Sequence, residues 1–399
     1  MTLPPVLGGH WQAYLDALTG VLGRPERQAG LRAYCTGLLL PGERKSIEPI
    51  AARLGAERQS ARHQALHHFV TQARWSDEAL LDAVAGQVLP LLERHGPITA
   101  WILDDTGIPK RGEHSVGVAV QYCGVQRQTT NCQVAVSLSL ANAHASLPVA
   151  FRLYLPEAWA TDRARRGAVY VPLGVRFQTK HEIALDQIRA ALAKGLPRGV
   201  VLADGAYGTA FEVRHTLREL GLTYAVGVDS RLLVRPPGHP VALTTKELAT
   251  WRRTTAFRTV AWREGESGGR QGRFAALRVT ATPRHRPADA EEWLLIEWPL
   301  AEPEPSRYWL STLPPDTPLE ALVATAKGRW RIERDYQDLK QQVGLDRFEG
   351  RSWRGFHHHA ALCIAAYGFL IQERCRFPPR PRRSAAERRA SRAAPSPPP

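Results

Sequence analysis

The chain has 399 residues, of which 44% are hydrophobic, and carries 53 Lys and Arg against 38 Asp and Glu, a formal net charge of +15. This length predicts one large catalytic domain with accessory modules, and no run of eighteen apolar residues occurs that would predict a membrane span. The basic excess favours a polyanionic partner, nucleic acid first, because Lys and Arg bind phosphates with release of condensed cations.

The amino terminus and the cysteines bear on the cellular compartment. The first residues lack a basic segment followed by a long apolar stretch, so no secretory signal is predicted. The five cysteines are scattered, odd in number and without a CxxC pair, which disfavours both a disulfide framework and a zinc finger. These features predict a cytoplasmic protein with reduced thiols.

Residues 1–96 are predicted to form a helical N-terminal DNA-binding domain. Within it, residues 47–69 have the pattern of a helix–turn–helix, with Gly55 at the turn. Arg58 and Arg62 lie on the second helix and are of the type that reaches phosphates and base edges. A plain helical hairpin with a solvated polar face is the alternative.

From residue 97 to residue 230 the sequence pattern changes from helical to strand-like, with alternating apolar and polar residues, which is typical of an α/β core. AWILDDT is an apolar strand that ends in two acids, and SVGVAVQYCG and NCQVAVSLSLAN alternate in the same way. An amphipathic helix is predicted over residues 180–194, followed by the strand VVLAD. The order β-β-β-α-β-α-β predicts an RNase H-like fold, in which helices flank a mixed sheet.

Residues 231–305 interrupt this core with Pro/Gly-rich turns and short alternating segments, which predicts an inserted β-rich subdomain. The core resumes over residues 306–375, with a long helix from about Pro318 to Val343 and a further helix after it. Residues 376–399 are rich in Pro, Arg, Ala and Ser, and are predicted to form a disordered basic tail.

Three acids are candidates for catalysis by their positions: Asp105 and Asp204 at strand ends, and Glu333 on the long helix. Three convergent carboxylates without Cys or His neighbours form a site for Mg²⁺ or Mn²⁺, and two ions about 4 Å apart suit phosphodiester cleavage. Solvated surface acids are the alternative, but the order of the three favours the metal site. Asp104 precedes Asp105 directly, and strand parity alone does not decide between them.

The long helix places four polar residues on one face, because Arg329, Glu333, Tyr336 and Lys340 are spaced four, three and four residues apart. This face predicts a metal ligand beside phosphate-binding side chains. An exposed Arg329–Glu333 ion pair, which would stabilise by only ~0.3–0.5 kcal/mol, is the alternative. Lys110, just after the first acids, is a further candidate for DNA contact, with a solvated turn as its alternative.

Other residues carry weaker signals. Asp335 and Asp338 point to other faces of the long helix and are poorer metal ligands. The run His357–His359 splays around a helix, which favours DNA-backbone contact or plain surface over a zinc site. Trp251 and Trp262 in the insertion are candidates for stacking on an extruded base, with burial in the sheet core as the alternative.

Taken together, WILDDTGIPKRGEHSVGVAVQYCG, LADGAYG and RWRIERDYQDLKQQ resemble DDE transposases of bacterial insertion sequences, over roughly residues 25–375. One branch of that family has the signature Y-x2-R-x3-E-x6-K. Arg329, Glu333 and Lys340 match this spacing, whereas Ala326 stands at the tyrosine position. In the family the acid directly before a Thr-like residue carries the first role, which favours Asp105.

The resemblance implies cut-and-paste DNA transposition with two Mg²⁺ ions and a β insertion between the second Asp and the Glu. The expected partners are double-stranded DNA, at terminal inverted repeats and at target sites, and a second copy of the chain in a synaptic homodimer. Two other functions stay open: an RNase H-like nuclease that cuts without joining, and a domesticated DNA-binding protein.

Overall fold

The computed structural model describes residues 5–42, 44–251, 256–263, 270–282 and 290–377. The predicted tail lies outside these residues except for its first two positions. Fourteen α-helices and twelve strands form within these ranges. In the same ranges, no helix has the length and apolar character needed to cross a membrane.

The N-terminal region is helical, as predicted, with five helices: α1 (Pro5–Thr19), α2 (Pro25–Leu39), α3 (Ile47–Arg53), α4 (Gln59–Thr71) and α5 (Asp77–Glu93). Helices α3 and α4 are the predicted pair, and a short 3-10 turn separates them. Gly55 opens this turn with φ +139°, a conformation that glycine adopts without strain. On α4, Arg62 donates to the carbonyl of Gly55 at 2.6 Å, whereas Arg58 before it is exposed.

The core strands are β1 (Ala100–Pro109), β2 (Ala119–Cys123), β3 (Gln128–Ala141), β4 (Ser146–Leu153), β5 (Val200–Ala203) and β6 (Tyr224–Val228). Five of them lie in the order β4-β3-β1-β5-β6, in which β1, β5 and β6 are parallel and the other pairs are antiparallel. This mixed sheet, flanked by helices, confirms the predicted RNase H-like α/β fold.

The helices between these strands are α6 (Glu157–Ala160), α7 (Arg163–Ala168), α8 (Lys180–Ala193), α9 (Gly205–Gly208) and α10 (Phe211–Glu219). The predicted amphipathic helix is α8. It begins at a capping box, in which Thr179 accepts from the backbone of Glu182 and the Glu182 carboxylate accepts from the backbone of Thr179. The first turn of α8 is therefore fixed by local bonds.

The inserted segment comprises β7 (Leu233–Arg235), β8 (Leu243–Thr244), α11 (Thr245–Trp251), β9 (Arg258–Arg263), β10 (Arg270–Ala281) and β11 (Glu291–Trp298). The chain returns to the core through β12 (Arg307–Ser311), which pairs with both β6 and β11. The inserted strands therefore continue the core sheet. Alternating side chains predict strands but do not show which neighbour each strand pairs with.

The predicted long helix over Pro318–Val343 is divided into α12 (Leu319–Lys327) and α13 (Trp330–Gln341). Gly328 lies at the division, where helix propensity is low. The backbone tightens there: the Gly328 amide donates to Thr325, and the Ile332 amide donates to Arg329, both three residues back. The prediction of one continuous helix was wrong at this turn, and the break places Arg329 at the start of α13.

The last helix, α14 (Trp353–Arg376), is buried on almost every side. It packs against α2, α4, α5 and β4, and Tyr14 of α1 donates to the carbonyl of Ala365 at 2.8 Å. The N-terminal helices and the sheet therefore share one hydrophobic core through α14.

The expectation of surface positions for His357, His358 and His359 was wrong, because all three are buried on α14. His358 stacks on Trp75 with ring centroids 3.6 Å apart. His359 lies 3.1 Å from the Gly344 carbonyl through Nε2 and 2.8 Å from the Tyr34 hydroxyl through Nδ1. A carbonyl only accepts, so Nε2 carries the proton and Nδ1 accepts from tyrosine.

His359 should make the stability of the fold depend on pH. Burial lowers its pKa from 6.5 to about 4, so between these values the unfolded chain binds a proton that the folded chain does not. The stabilisation is therefore complete above about pH 6.5 and is lost as the pH falls toward 4, by about 3 kcal/mol. Asp335 titrates in the opposite sense, since burial raises its pKa to about 7.

The contribution of His359 is isolated by a variant. We expect the difference in unfolding free energy between the wild-type protein and His359→Gln to shrink steadily from pH 7 to pH 4, because the amide does not titrate. Urea denaturation at four pH values measures it. A constant difference would show that the imidazole is not kept neutral by the fold.

Candidate active site

The prediction that Asp105 ends the first core strand was wrong, because β1 continues to Pro109 through its pairing with β3. Asp104 and Asp105 lie in the middle of β1, on opposite faces of the sheet. In the β1–β3 register Asp104 is opposite Ser137, whose hydroxyl hydrogen-bonds the Tyr336 hydroxyl of α13 at 2.7 Å. Asp105 instead forms an ion pair with Lys180 of α8, Nζ to Oδ2 2.8 Å. Since neighbouring strand residues alternate in direction, Asp104 faces α13 and Asp105 faces α8.

Arg329 links the acids on the α13 side. Its guanidinium forms ion pairs with Asp104 and, at 3.2 Å, with Glu333. Burial lowers the pKa of Arg329, but the charges of Asp104, Asp204 and Glu333 outweigh burial and raise it overall. One cation therefore interacts with three carboxylates that come from β1, from the end of β5 and from α13.

Asp104 is far more enclosed than Glu333, with 13% of its side chain exposed against 68%. Burial raises the pKa of Asp104 to about 7; Arg329 lowers it, and the charges of Asp204 and Asp105 raise it further. Asp104 is therefore a buried carboxyl group held near a cation and repelled by its acidic neighbours.

Asp204 follows β5 and caps the single turn of α9. Its Oδ1 accepts from the backbone amides of Ala206, at 2.9 Å, and Tyr207, at 3.4 Å. Among the described residues, no backbone amide donates to the other oxygen, Oδ2, so the turn holds the carboxylate through Oδ1 alone.

The acids on the α13 side suit a divalent cation. Among the described residues, no group of three His, Cys, Asp or Glu is close enough to hold a metal ion directly. The Arg329 guanidinium instead pairs with Asp104 and Glu333, and the charge of Asp204 is near enough to raise its pKa. All three offer hard oxygen donors of the kind that Mg²⁺ and Mn²⁺ prefer. Burial is the main cause of the raised pKa of Asp104, and repulsion by Asp204 and Asp105 adds to it; a second cation would relieve that repulsion, so the donor set fits.

The other candidate DNA contacts differ in exposure. Tyr336 is buried and bonds Ser137, so the phenol packs on the sheet and is not open to DNA. Lys110 donates to the Phe348 carbonyl at 2.6 Å, and burial lowers its pKa. Arg58 is exposed to solvent.

Lys340 is not a free surface cation. Its Nζ donates to the Thr106 hydroxyl at 2.7 Å and to the Gly107 carbonyl at 2.9 Å, which ties α13 to the end of β1. Thr106 follows Asp104 by two residues and therefore lies on the same face of β1. The sequence showed the spacing of Lys340 from Glu333 but gave no sign of these β1 partners.

Replacement of Lys340 by Ala should therefore lower the stability of the fold. Loss of two hydrogen bonds from a charged donor should lower the free energy of unfolding by about 2 kcal/mol. Arg334→Ala is the control, because Arg334 is exposed on the same helix and pairs with Asp338. Urea denaturation of both variants measures the effect. Equal stability would mean that Lys340 is the exposed cation that the sequence predicts.

The two tryptophans of the insertion differ. Trp251 is exposed, whereas Trp262 is half-buried and packs edge-on against Phe274. Trp262 also lines a cavity of about 330 Å³ beside Glu333, with the ammonium of Lys327 4.6 Å above its ring. The other residues around this cavity include Arg307, Trp309, Ala326, Arg329 and Trp330. Trp262 thus combines sheet packing with access to the site.

Sequence reasoning missed a second set of side chains on the α8 side of the acids. Tyr207 donates to Asp105 Oδ2 at 3.3 Å, and His181 contacts the Ala206 carbonyl at 2.7 Å. The only sequence signal for them is proximity: Tyr207 is three residues after Asp204, and Lys180 and His181 open the amphipathic helix.

Comparison with known proteins places these residues in a family. The chain belongs to the DDE superfamily of endonucleases, whose profile matches residues 17–269. A second profile, of the transposase DDE domain, matches residues 172–369. The predicted family and its enzyme class are confirmed, whereas the Tyr–Arg–Glu–Lys branch stays a prediction.

A curated relative is similar over much of its length. It is described as a probable transposase for insertion sequence element IS701, from Microchaete diplosiphon, and is 27% identical over 266 residues. The alignment covers 64% of this chain and 64% of that protein, so the chain spans just under two thirds of the relative's length.

Proposed function

We propose that the protein is a transposase that binds terminal inverted repeats, cuts DNA in a metal-dependent reaction and joins the ends to target DNA. The observation that supports this most directly is the arrangement of three acids near Arg329, which pairs with Asp104 in the middle of β1 and with Glu333 in the first turn of α13, while the charge of Asp204 after β5 raises its pKa. Asp204 lies just beyond the end of β5, and the ends of strands beside a helix are where an α/β sheet presents catalytic groups.

In this proposal Asp104, Asp204 and Glu333 hold two Mg²⁺ or Mn²⁺ ions. When bound, such ions activate the attacking oxygen and stabilise the leaving oxygen of an in-line displacement. The family resemblance favours Asp105 as the first acid. We assign that place to Asp104, because its side chain shares the α13 face with Arg329 and Tyr336, whereas Asp105 is paired with Lys180.

The basic residues then contact DNA. Arg329, once separated from the acids, can hold a phosphate beside the scissile bond, and Arg58 and Arg62 of the α3–α4 pair would contact the terminal repeat. Trp262 would stack on an extruded base in the cavity beside Glu333. Two copies of the chain would bring two transposon ends together, on chromosomal DNA in the cytosol.

The test uses the purified chain and a DNA fragment that contains the inverted repeats flanking its gene. We expect cleavage at the repeat ends with Mg²⁺ or Mn²⁺, none with EDTA, and binding without cleavage with Ca²⁺, whose geometry is looser. Pre-cleaved ends incubated with a supercoiled plasmid should be joined to it.

Each step of this assay has an outcome that contradicts the proposal. Cleavage without joining would indicate a nuclease that does not transfer strands. Specific binding to the repeats without cleavage under any metal condition would indicate a DNA-binding protein that has lost the reaction.

A further inference from the structure

The second acid of the Asp104–Asp105 pair lies in a separate network of bonds. Lys180 Nζ lies 2.8 Å from Asp105 Oδ2, and the Tyr207 hydroxyl donates to the same oxygen at 3.3 Å. Tyr207 is fully buried, with 1% of its surface exposed. One carboxylate oxygen thus joins β1, α8 and α9.

Tyr207 also belongs to the turn that holds Asp204. The Tyr207 amide is one of the two that donate to Asp204 Oδ1. The backbone of this residue therefore contacts one acid, while its side chain contacts the other. A shift of the phenol would move the turn, and with it the direction of the Asp204 carboxylate.

The first turn of α8 holds α9 from the same side. His181 lies 2.7 Å from the Ala206 carbonyl through Nε2 and packs edge-on against the Tyr207 ring. Because a carbonyl only accepts, the imidazole donates in this bond. The Thr179 capping box fixes this turn of α8, so the backbone that carries Lys180 and His181 is held in place.

The opposite side of α9 has no free space. A Cβ atom added to Gly208 would lie 2.0 Å from the Gly227 carbonyl oxygen and 2.7 Å from Val226 Cβ, both on β6. The turn therefore packs directly on β6, and the bonds to Asp105 and α8 restrict any movement of the turn away from β6.

From these contacts we infer that Asp105, Lys180 and Tyr207 are positioning residues, which orient Asp204 toward Asp104 and so set the affinity of the site for divalent ions. The inference rests on the proposed function. It gives the two adjacent acids different roles: Asp104 as a ligand and Asp105 as the group that holds the next ligand in place. Groups that orient metal ligands typically change metal affinity 10- to 100-fold when removed.

The test is Mn²⁺ binding to the purified full chain, followed by the electron paramagnetic resonance signal of free Mn²⁺. Tyr207→Phe removes only the hydroxyl, and we expect the Kd for Mn²⁺ to rise about 10- to 100-fold. Cleavage should be impaired at low Mn²⁺ and recover as Mn²⁺ is raised. Lys180→Met should behave similarly, and Lys180→Arg should restore most of the affinity.

Tyr224→Phe is the matched control. Tyr224 is also buried, and its hydroxyl donates to the Glu292 carboxylate at 2.8 Å, but this pair lies outside the contacts of Asp204. We expect the control to change thermal stability without changing Mn²⁺ affinity. Equal losses of Mn²⁺ affinity in Tyr207→Phe and Tyr224→Phe would overturn the inference, because they would indicate a general loss of structure.

Two further results separate this inference from the proposed function. Affinity within twofold of wild type in both Tyr207→Phe and Lys180→Met, with Asp204→Asn strongly impaired, overturns the positioning role and leaves the metal site intact. Unchanged Mn²⁺ affinity in Asp204→Asn overturns the metal site itself, and the positioning role with it.

Discussion

Asp104→Asn will lower the rate of DNA cleavage by about 10³-fold or more, while binding to terminal DNA stays close to that of the wild-type protein. Under the proposed function, replacing this metal-ligating carboxylate would remove several kcal/mol of stabilisation from the transition state, and each 1.36 kcal/mol corresponds to a factor of ten. In the same proposal, DNA affinity would depend mainly on phosphate contacts elsewhere, which an amide at this position leaves in place.

Asp105→Asn serves as the comparison, because the two residues are adjacent and the substitutions are identical. The amide keeps an oxygen for the Tyr207 hydroxyl but loses the charge that pairs with Lys180. We expect a smaller loss, about 10- to 100-fold, that excess Mn²⁺ partly reverses. Single-turnover cleavage of labelled end DNA measures both rates. The reverse order of severity would make Asp105 the ligand, as the family resemblance implies.

Asp335→Ala should give a large loss of stability. Asp335 lies two residues beyond Glu333 on α13 but is buried, and accepts from Ser146 at 2.6 Å and from Tyr367 at 2.9 Å. Alanine would leave two buried hydroxyl groups unpaired and open a small cavity. Together these effects should lower the free energy of unfolding by about 3–5 kcal/mol.

Glu333→Gln is the control for Asp335→Ala on the same helix. The Glu333 side chain is 68% exposed and contacts Arg329 at 3.2 Å, so the free energy of unfolding should change by less than about 1 kcal/mol. Cleavage, in contrast, should be lost. Guanidinium denaturation and single-turnover cleavage of both variants test the contrast. A stable, inactive Asp335→Ala protein would contradict the structural role of Asp335.

The order of strands and helices was predictable because each core strand is an apolar segment or one in which apolar and polar residues alternate. The strand VVLA before Asp204 and the amphipathic α8 are of this kind, and both lie where they were predicted. Pairing between distant strands was not predictable. The sequence therefore predicted a separate subdomain for the inserted strands, although β12 joins them to the core sheet.

The site was less predictable, because it depends on directions that one sequence does not show. The parity of Asp104 and Asp105 follows from the β1–β3 register, which sets Ser137 opposite Asp104. The burial of His357–His359 follows from α14 being surrounded by other elements. Their polar character predicts a surface, but their hydrogen bonds to backbone and Tyr34 satisfy them inside the core.

The place of Arg329 among three carboxylates has a thermodynamic consequence. Under the proposed function, the same guanidinium competes with divalent ions for the acids and with the acids for a DNA phosphate. Uptake of metal then frees a cation for DNA, and bound DNA draws that cation away from the metal ligands. The two ligands must raise each other's affinity by the same factor, since linkage between binding free energies is reciprocal. If the proposed function is correct, metal and DNA therefore bind cooperatively, through the side chain of Arg329.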